Sequence, residues 1–182
     1  MKALKKICTA LMLLAFAFVF ASCSSGSDSD DDDDQSITLS AGDYTLAITQ
    51  TSDGMVEKYD IKATASNESW TFKSGSKTET VDLTKKMKTD ELEEFNKMDE
   101  NAKKAEAKKN MEFPDDAEVS FVNNEVIVKS TLSAAELTEM QKNYQLSSIP
   151  SDAKIETITD KTEYEITMSK AWGTIVFHVN KV

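Results

Sequence analysis

The chain contains no arginine. Its 21 basic residues are all lysine, and 32 acidic residues outnumber them, so the formal net charge is −11 at pH 7. Proteins that bind nucleic acid usually present clustered basic residues, and the planar fork of arginine matches phosphate especially well. The composition therefore predicts that nucleic acid is not a partner of this protein.

Histidine, cysteine and glycine are also scarce. His178 is the only histidine, so an HExxH zinc site is impossible. The five glycines form neither a phosphate loop nor a dinucleotide-binding fingerprint, and no G-x-S-x-G motif is present. We therefore expect no cofactor, no metal site, no catalytic residue and no enzymatic activity. A small hydrolase that uses a pair of carboxylates remains a less favoured alternative, because acidic residues are abundant.

The N-terminus has the layout of a secretory signal. Three lysines lie within Met1–Lys6, and Ile7–Ala21 is a run of fifteen residues in which Thr9 is the only polar interruption. A membrane-spanning helix needs about 20 apolar residues, so this run is too short to span and is typical of a signal peptide. We predict a signal helix and removal of residues 1–22.

The end of this signal, Phe20-Ala21-Ser22-Cys23, resembles the lipobox of bacterial lipoproteins, with Phe20 at the position where leucine is common. The resemblance implies cleavage before Cys23 and a lipid, a thioether-linked diacylglycerol, on its sulfur. Two acyl chains anchor a protein stably, whereas one chain holds it only marginally. The alternative is an ordinary secreted protein with a chance cysteine near its cleavage site. Cys8 lies in the removed segment, so Cys23 would be the only cysteine of the mature chain and no internal disulfide could form.

Residues 23–36 are predicted to connect this anchor to the folded part. Ser24–Gln35 contains six aspartates and no apolar side chain, so we expect a disordered acidic linker. Acidic runs at this position resemble the surface-export signals of some Gram-negative lipoproteins. This likeness favours the outer membrane or cell surface over a periplasm-facing location. A plain solvated spacer is the alternative.

Residues 37–182 are predicted to form one α+β domain of mostly antiparallel strands. Alternating apolar residues indicate about eight strands in a curved or barrel-like sheet. Residues 42–83 favour a four-stranded meander, in which Gly75 separates the last two strands. Residues 118–122 and 125–131 flank a hairpin turn at Asn123-Asn124. Three further strands are predicted at 155–159, 162–169 and 174–181.

Two helices are predicted, at about 89–110 and 133–144. The first has an apolar stripe that begins at Leu92 and Phe95, but its second half offers only alanines, so the sequence leaves open whether it packs or projects. The second begins with Ser133 and Glu136, which match a capping box.

Several aromatic residues lie on or beside the predicted strands. In a barrel-like sheet they would line a cavity for a small apolar ligand, and we single out Tyr44, Tyr59, Trp70, Tyr164 and Trp172. Gly42-Asp43-Tyr44 resembles the lipocalin Gly-x-Trp signature with tyrosine in place of tryptophan, which implies a lipocalin-like carrier. The alternative is that these aromatics are ordinary sheet core.

The sequence therefore predicts a lipid-anchored envelope lipoprotein whose domain binds a partner or a ligand without catalysis. The membrane would be one partner, through the lipid on Cys23. The other would be an unknown protein or a small apolar ligand.

Overall fold

The computed structural model describes residues 37–67, 69–110, 113–146 and 149–182. The predicted signal peptide (1–22) and the segment 23–36, with Cys23 and the acidic linker, lie outside the described residues. Within the described ranges, no helix is both long enough and apolar enough to cross a membrane.

Eight described strands form one antiparallel sheet. They are β1 (Leu39–Ser52), β2 (Met55–Asn67), β3 (Ser69–Asp82), β4 (Glu118–Val122), β5 (Glu125–Thr131), β6 (Lys154–Thr159), β7 (Glu163–Lys170) and β8 (Gly173–Lys181). Their order across the sheet is β4-β5-β3-β2-β1-β8-β7-β6. The prediction of a mostly antiparallel sheet of about eight strands is confirmed. Since β4 and β6 lie at opposite edges and do not pair with each other, the sheet of the described strands is open and not a closed barrel.

The first part of the sheet has three long strands where the sequence predicted four. The prediction that Gly75 separates two strands is wrong, because β3 continues through it and pairs with β2 on both sides. The irregularity lies two residues earlier, where Lys73 forms a bulge between the pairs Ala63–Phe72 and Lys62–Ser74. Gly75 marks a close approach instead: a Cβ atom there would lie 2.9 Å from the Asp60 carbonyl oxygen.

The hairpin turn between β4 and β5 is confirmed. Asn123 and Asn124 both have positive φ, 49° and 65°. Two-residue hairpin turns of this kind require positive φ at both positions, and asparagine tolerates that conformation better than most residues.

Four helices occur in the described residues. They are α1 (Leu83–Lys86), α2 (Thr89–Lys97), α3 (Glu100–Asn110) and α4 (Ala134–Asn143). The predicted helix at 133–144 is confirmed as α4, and Ser133 and Glu136 form the expected capping box. The short helix α1 was not predicted, and Asp82 caps it by accepting a hydrogen bond from the Thr84 amide at 2.9 Å.

The prediction of one helix over 89–110 is wrong, because α2 ends at Lys97 and α3 starts at Glu100. Met98 has extended backbone, with ψ at 147°. The Asp99 carboxylate then accepts a hydrogen bond from the Ala102 amide at 2.9 Å, as an N-cap residue does. The second half of the region does not project: Ala107 in α3 is fully buried.

All of the buried strand residues lie on one face of the sheet, which we call the inner face. The large core covers most of it and joins Leu46, Ile48 and Phe177 of the strands with Leu137 of α4 and with Leu146 of the segment after it. The small core lies under α2 and α3, where Phe95 meets Phe121 edge to face at 5.6 Å. The opposite face, which we call the outer face, carries mostly exposed polar side chains.

Helix α4 and the segment after it are tied to β3 by hydrogen bonds. The Phe72 amide donates to the Gln141 side chain at 2.9 Å, and the Trp70 indole donates to the Tyr144 carbonyl at 2.7 Å. The first half of β3 has no pairing with β5, so Gln141 satisfies an amide that would otherwise lack a strand partner.

We expect Asp99→Ala to lower the free energy of unfolding by about 1 kcal/mol, because α3 would lose its N-cap. Chemical denaturation followed by circular dichroism measures this change. Asp115→Ala, in an exposed turn, is the matched control and should have little effect. Equal effects of the two substitutions would contradict the capping role of Asp99.

Candidate functional sites

The structure distributes the five aromatic residues over several places. Tyr44, Tyr59, Trp70 and Tyr164 are buried on the inner face, whereas Trp172 lies in the turn between β7 and β8 and is 37% exposed. Their role as ligand-lining residues therefore stays a prediction.

Tyr44 and Tyr164 both form hydrogen bonds with the backbone of Lys161. The Tyr44 hydroxyl lies 2.9 Å from the carbonyl oxygens of both Ser40 and Lys161, and the Lys161 amide donates to the Tyr164 hydroxyl at 2.7 Å. These bonds tie the start of β1 to the turn before β7, which is a structural role.

Trp70 lies in the large core beside Tyr144 and Phe177. The rings of Tyr144 and Phe177 meet edge to face at 4.9 Å. The free space that these residues and their neighbours enclose is about 20 Å³. That is about the space of one water molecule, so the aromatic side chains fill this part of the core.

A group of charged residues lies on the inner face between the two cores. We call Glu57, Lys77 and Glu79 the acid–lysine cluster. Glu57 on β2 stands directly opposite Glu79 on β3. The Lys77 ammonium lies 3.0 Å from a Glu57 carboxylate oxygen and 3.1 Å from one of Glu79. One lysine thus holds two carboxylates in a largely buried place.

The surroundings of the cluster are polar as well. The Tyr59 hydroxyl donates to Glu57 Oε2 at 3.2 Å, and the Gln50 amide donates to the Tyr144 hydroxyl at 3.0 Å. Glu57 is only 2% exposed. Its Oε1 atom makes the ion pair with Lys77 but accepts no hydrogen bond of good geometry from the described residues. Charge attraction, rather than a full set of hydrogen bonds, therefore stabilises this carboxylate.

Burial and mutual charge shift the pKa values in the cluster. Burial raises the pKa of Glu79, the nearby Lys77 ammonium offsets part of this rise, and the Glu57 carboxylate adds to it. Burial lowers the pKa of Lys77, but the two carboxylates outweigh it and leave that pKa above its usual value. Burial, and then the Glu57 charge, also raises the pKa of Tyr59 and of Tyr144.

The acid–lysine cluster does not present its carboxylates to a substrate. Glycoside hydrolysis needs two carboxyl groups on either side of an accessible bond. Here Lys77 contacts both groups, and Glu57 is buried. Lys77 offsets part of the negative charge that the two carboxylates place inside the sheet. Sequence reasoning missed the cluster, although extending the alternation of Tyr59 and Ile61 back by one step would have placed Glu57 on the buried face.

A second polar site lies on the outer face, where β3, β2, β1 and β8 run side by side. We call it the outer trough, a depression of about 430 Å³ that is open to solvent. Its polar and small side chains come from these four strands: Thr45, Ala47, Asp60, Lys62, Ser74, Ser76, His178 and Asn180. The volume falls within the range of roughly 300–1,000 Å³ that is usual for ligand sites.

Strand register arranges the trough as two rows that cross the sheet. One row runs Ser74, Lys62, Thr45, Asn180, and the next runs Ser76, Asp60, Ala47, His178. The small Ala47 side chain lies between Asp60 and His178 and leaves room at the centre. His178 lies on the outer face, between the buried Phe177 and Val179, and its Nε2 lies 3.4 Å from Glu163 Oε1.

Metal binding has no support in the described ranges, where no group of three or more His, Cys, Asp or Glu side chains is arranged to hold an ion.

Comparisons of the chain with protein-family models, with curated proteins and with solved structures find no match. The function is therefore inferred from the chemistry of the chain's own residues.

We expect Lys77→Met to lower the free energy of unfolding by about 3–5 kcal/mol, because it leaves two carboxylates buried without a cation. Chemical denaturation measures the loss. The triple substitution Glu57→Gln, Lys77→Met and Glu79→Gln removes all three charges and should recover most of it.

Lys73→Met is the matched control on the same strand. Lys73 pairs with Asp43 at 3.1 Å, but both side chains are more than half exposed, so little stability should be lost. Similar losses for the Lys73 and Lys77 variants would contradict the buried ion-pair interpretation.

We expect Glu79→Gln to change how stability depends on pH. Because the pKa of Glu79 is raised on folding, the unfolded chain loses the proton of Glu79 at a lower pH than the folded protein does. The free energy of unfolding therefore falls as the pH rises above about 4.5, the ordinary pKa of glutamate. The variant lacks this loss. Its stability relative to the unmodified protein should therefore be higher at pH 7 than at pH 4, as measured by denaturation at both pH values.

Glu156→Gln, on the exposed edge strand β6, is the control. Its free energy of unfolding relative to the unmodified protein should be nearly independent of pH. The test compares the free energy of unfolding of Glu79→Gln with that of the unmodified protein. If the variant's relative stability is the same at both pH values, or is higher at pH 4, the pKa of Glu79 is not raised.

Proposed function

We propose that this protein is a lipid-anchored lipoprotein of the bacterial cell envelope whose β-sheet domain binds a ligand or partner without catalysis, displayed at the cell surface. The observation that carries the binding role is the outer trough. There, side chains from four strands converge on one open depression, and their polar groups are directed to solvent.

The anchor is argued from chemistry at the N-terminus. Cys23 follows the small residues Ala21 and Ser22, and the only other cysteine, Cys8, lies within the proposed signal. A diacylglycerol on the Cys23 sulfur would hold the protein to the membrane with two acyl chains, each buried CH₂ contributing roughly 0.8 kcal/mol. The aspartates at 28 and 30–34 would repel anionic head groups and favour a domain that faces away from the membrane.

The alternative function is a lipocalin-like carrier of a small apolar ligand. Such a carrier needs an enclosed apolar cavity, usually in a closed barrel. The described strands form an open sheet, and about 20 Å³ remains free beside Trp70. These observations favour binding at the outer face over storage inside the sheet.

We expect Cys23→Ser to abolish incorporation of a labelled fatty acid and to release the protein from the membrane fraction. Metabolic labelling and fractionation of cells that express the full-length chain measure both effects. Protease added to intact cells should also digest the domain of the unmodified protein.

Cys8→Ser is the matched control, because it removes the other cysteine and should leave labelling and retention unchanged. Membrane retention of Cys23→Ser equal to that of the control would overturn the anchor. Full protection from protease on intact cells, with digestion after the outer membrane is opened, would place the domain on the periplasmic side.

A further inference from the structure

We propose that the outer trough binds a short peptide of dipeptide length with both termini free, with Asp60 bound to its ammonium group and Lys62 to its carboxylate. This inference rests on the proposed binding role, but it does not depend on the lipid anchor.

The first support is that Asp60 and Lys62 are charged side chains without partners among the described residues. Some other exposed lysines are paired: Lys73 lies 3.1 Å from Asp43, and Lys85 lies 3.0 Å from Asp53. Asp60 and Lys62 make no such ion pair within the described part of the chain. Each of these two side chains is therefore free to pair with an opposite charge on a ligand.

The cross-strand neighbours of these two charges are uncharged. Asp60 stands between Ala47 and Ser76, and Lys62 stands between Thr45 and Ser74. All four neighbours are small and uncharged. Side chains directly opposite each other on adjacent strands are the ones that pair most readily, so neither charge has a counter-ion directly opposite it on a neighbouring strand.

The spacing of the two charges sets the length of the ligand. Residues two apart on one face of a strand are separated by about 6.6 Å, since each residue rises about 3.3 Å. An extended peptide spans about 3.3–3.6 Å per residue, so a dipeptide reaches about 7 Å. A single amino acid carries both of its charges on one carbon and is too short to meet both side chains at this spacing.

The rest of the trough suits the middle of such a ligand. A peptide bond has one N–H donor and one C=O acceptor, and the hydroxyls of Ser74 and Ser76 and the amide of Asn180 can serve either group. Ala47 leaves space at the centre of the floor. No tryptophan, tyrosine or phenylalanine lines the trough, so it lacks the large ring faces on which a sugar commonly stacks.

The test uses the purified mature protein in detergent micelles and titrates it with four probes by calorimetry. The probes are alanyl-alanine, the same dipeptide blocked by an N-acetyl group and a C-terminal amide, free alanine, and maltose. We expect alanyl-alanine to bind, and the blocked dipeptide and alanine to bind about 10-fold or more weakly, because each loses charge-assisted hydrogen bonds.

Substitutions then locate the binding. Asp60→Asn and Lys62→Gln should each weaken alanyl-alanine binding about 10-fold. Lys58→Gln is the matched control, on the same strand and face but outside the trough, and should leave the affinity unchanged. Ala47→Leu should abolish binding by filling the centre, whereas Thr49→Leu, two residues along the strand, should not. Circular dichroism of each variant confirms that the fold is retained.

Three outcomes would overturn the proposal: no binding of alanyl-alanine, equal binding of the blocked dipeptide, or unchanged affinity in Lys62→Gln. If maltose binds instead and Ala47→Leu abolishes its binding, the ligand class is wrong while the trough keeps its binding role. If no probe binds, the peptide ligand is excluded. A failure of the envelope assignment would appear separately, as membrane retention of Cys23→Ser, which the titrations do not involve.

Discussion

The central constraint on this structure is that one antiparallel sheet has a single face to bury. The long strands β1 and β2 pair over almost their whole length, so Leu46 stands opposite Ile61 and Ile48 stands opposite Tyr59. Side chains alternate between the faces of a strand, and a shift of one residue would turn every one of them to the wrong side. Both cores, the helices that cover them and the polar outer face follow from this register.

The acid–lysine cluster is the main departure from an apolar inner face. It lies where the large core meets the small core, so the inner face consists of two apolar regions with a polar belt between them. Buried charges are costly unless they are paired, and Lys77 pairs with both Glu57 and Glu79. The two carboxylates of the belt therefore depend on Lys77, and the sheet loses most stability when this lysine alone is removed.

Local signals in the sequence predicted several features correctly. The turn at Asn123-Asn124 and the capping box of Ser133 and Glu136 depend on residues a few positions apart, so they could be read directly. The break before α3 was also a local event, but Asp99 lies within a strong helical composition that concealed its capping role. Gly75 was misread because a glycine in a strand marks either an end or a close approach, and the partner strand decides which.

The sequence by itself determined the face of most strand residues, the turn at Asn123-Asn124 and the capping box of Ser133 and Glu136. Period-two alternation shows which side chains share a face, but it does not show which strands are neighbours. Only the tertiary structure placed β8 beside β1, and thereby brought His178 and Asn180 next to Ala47 and Thr45. The same holds for the contact of Lys77 with Glu57, because cross-strand register depends on how the whole sheet pairs.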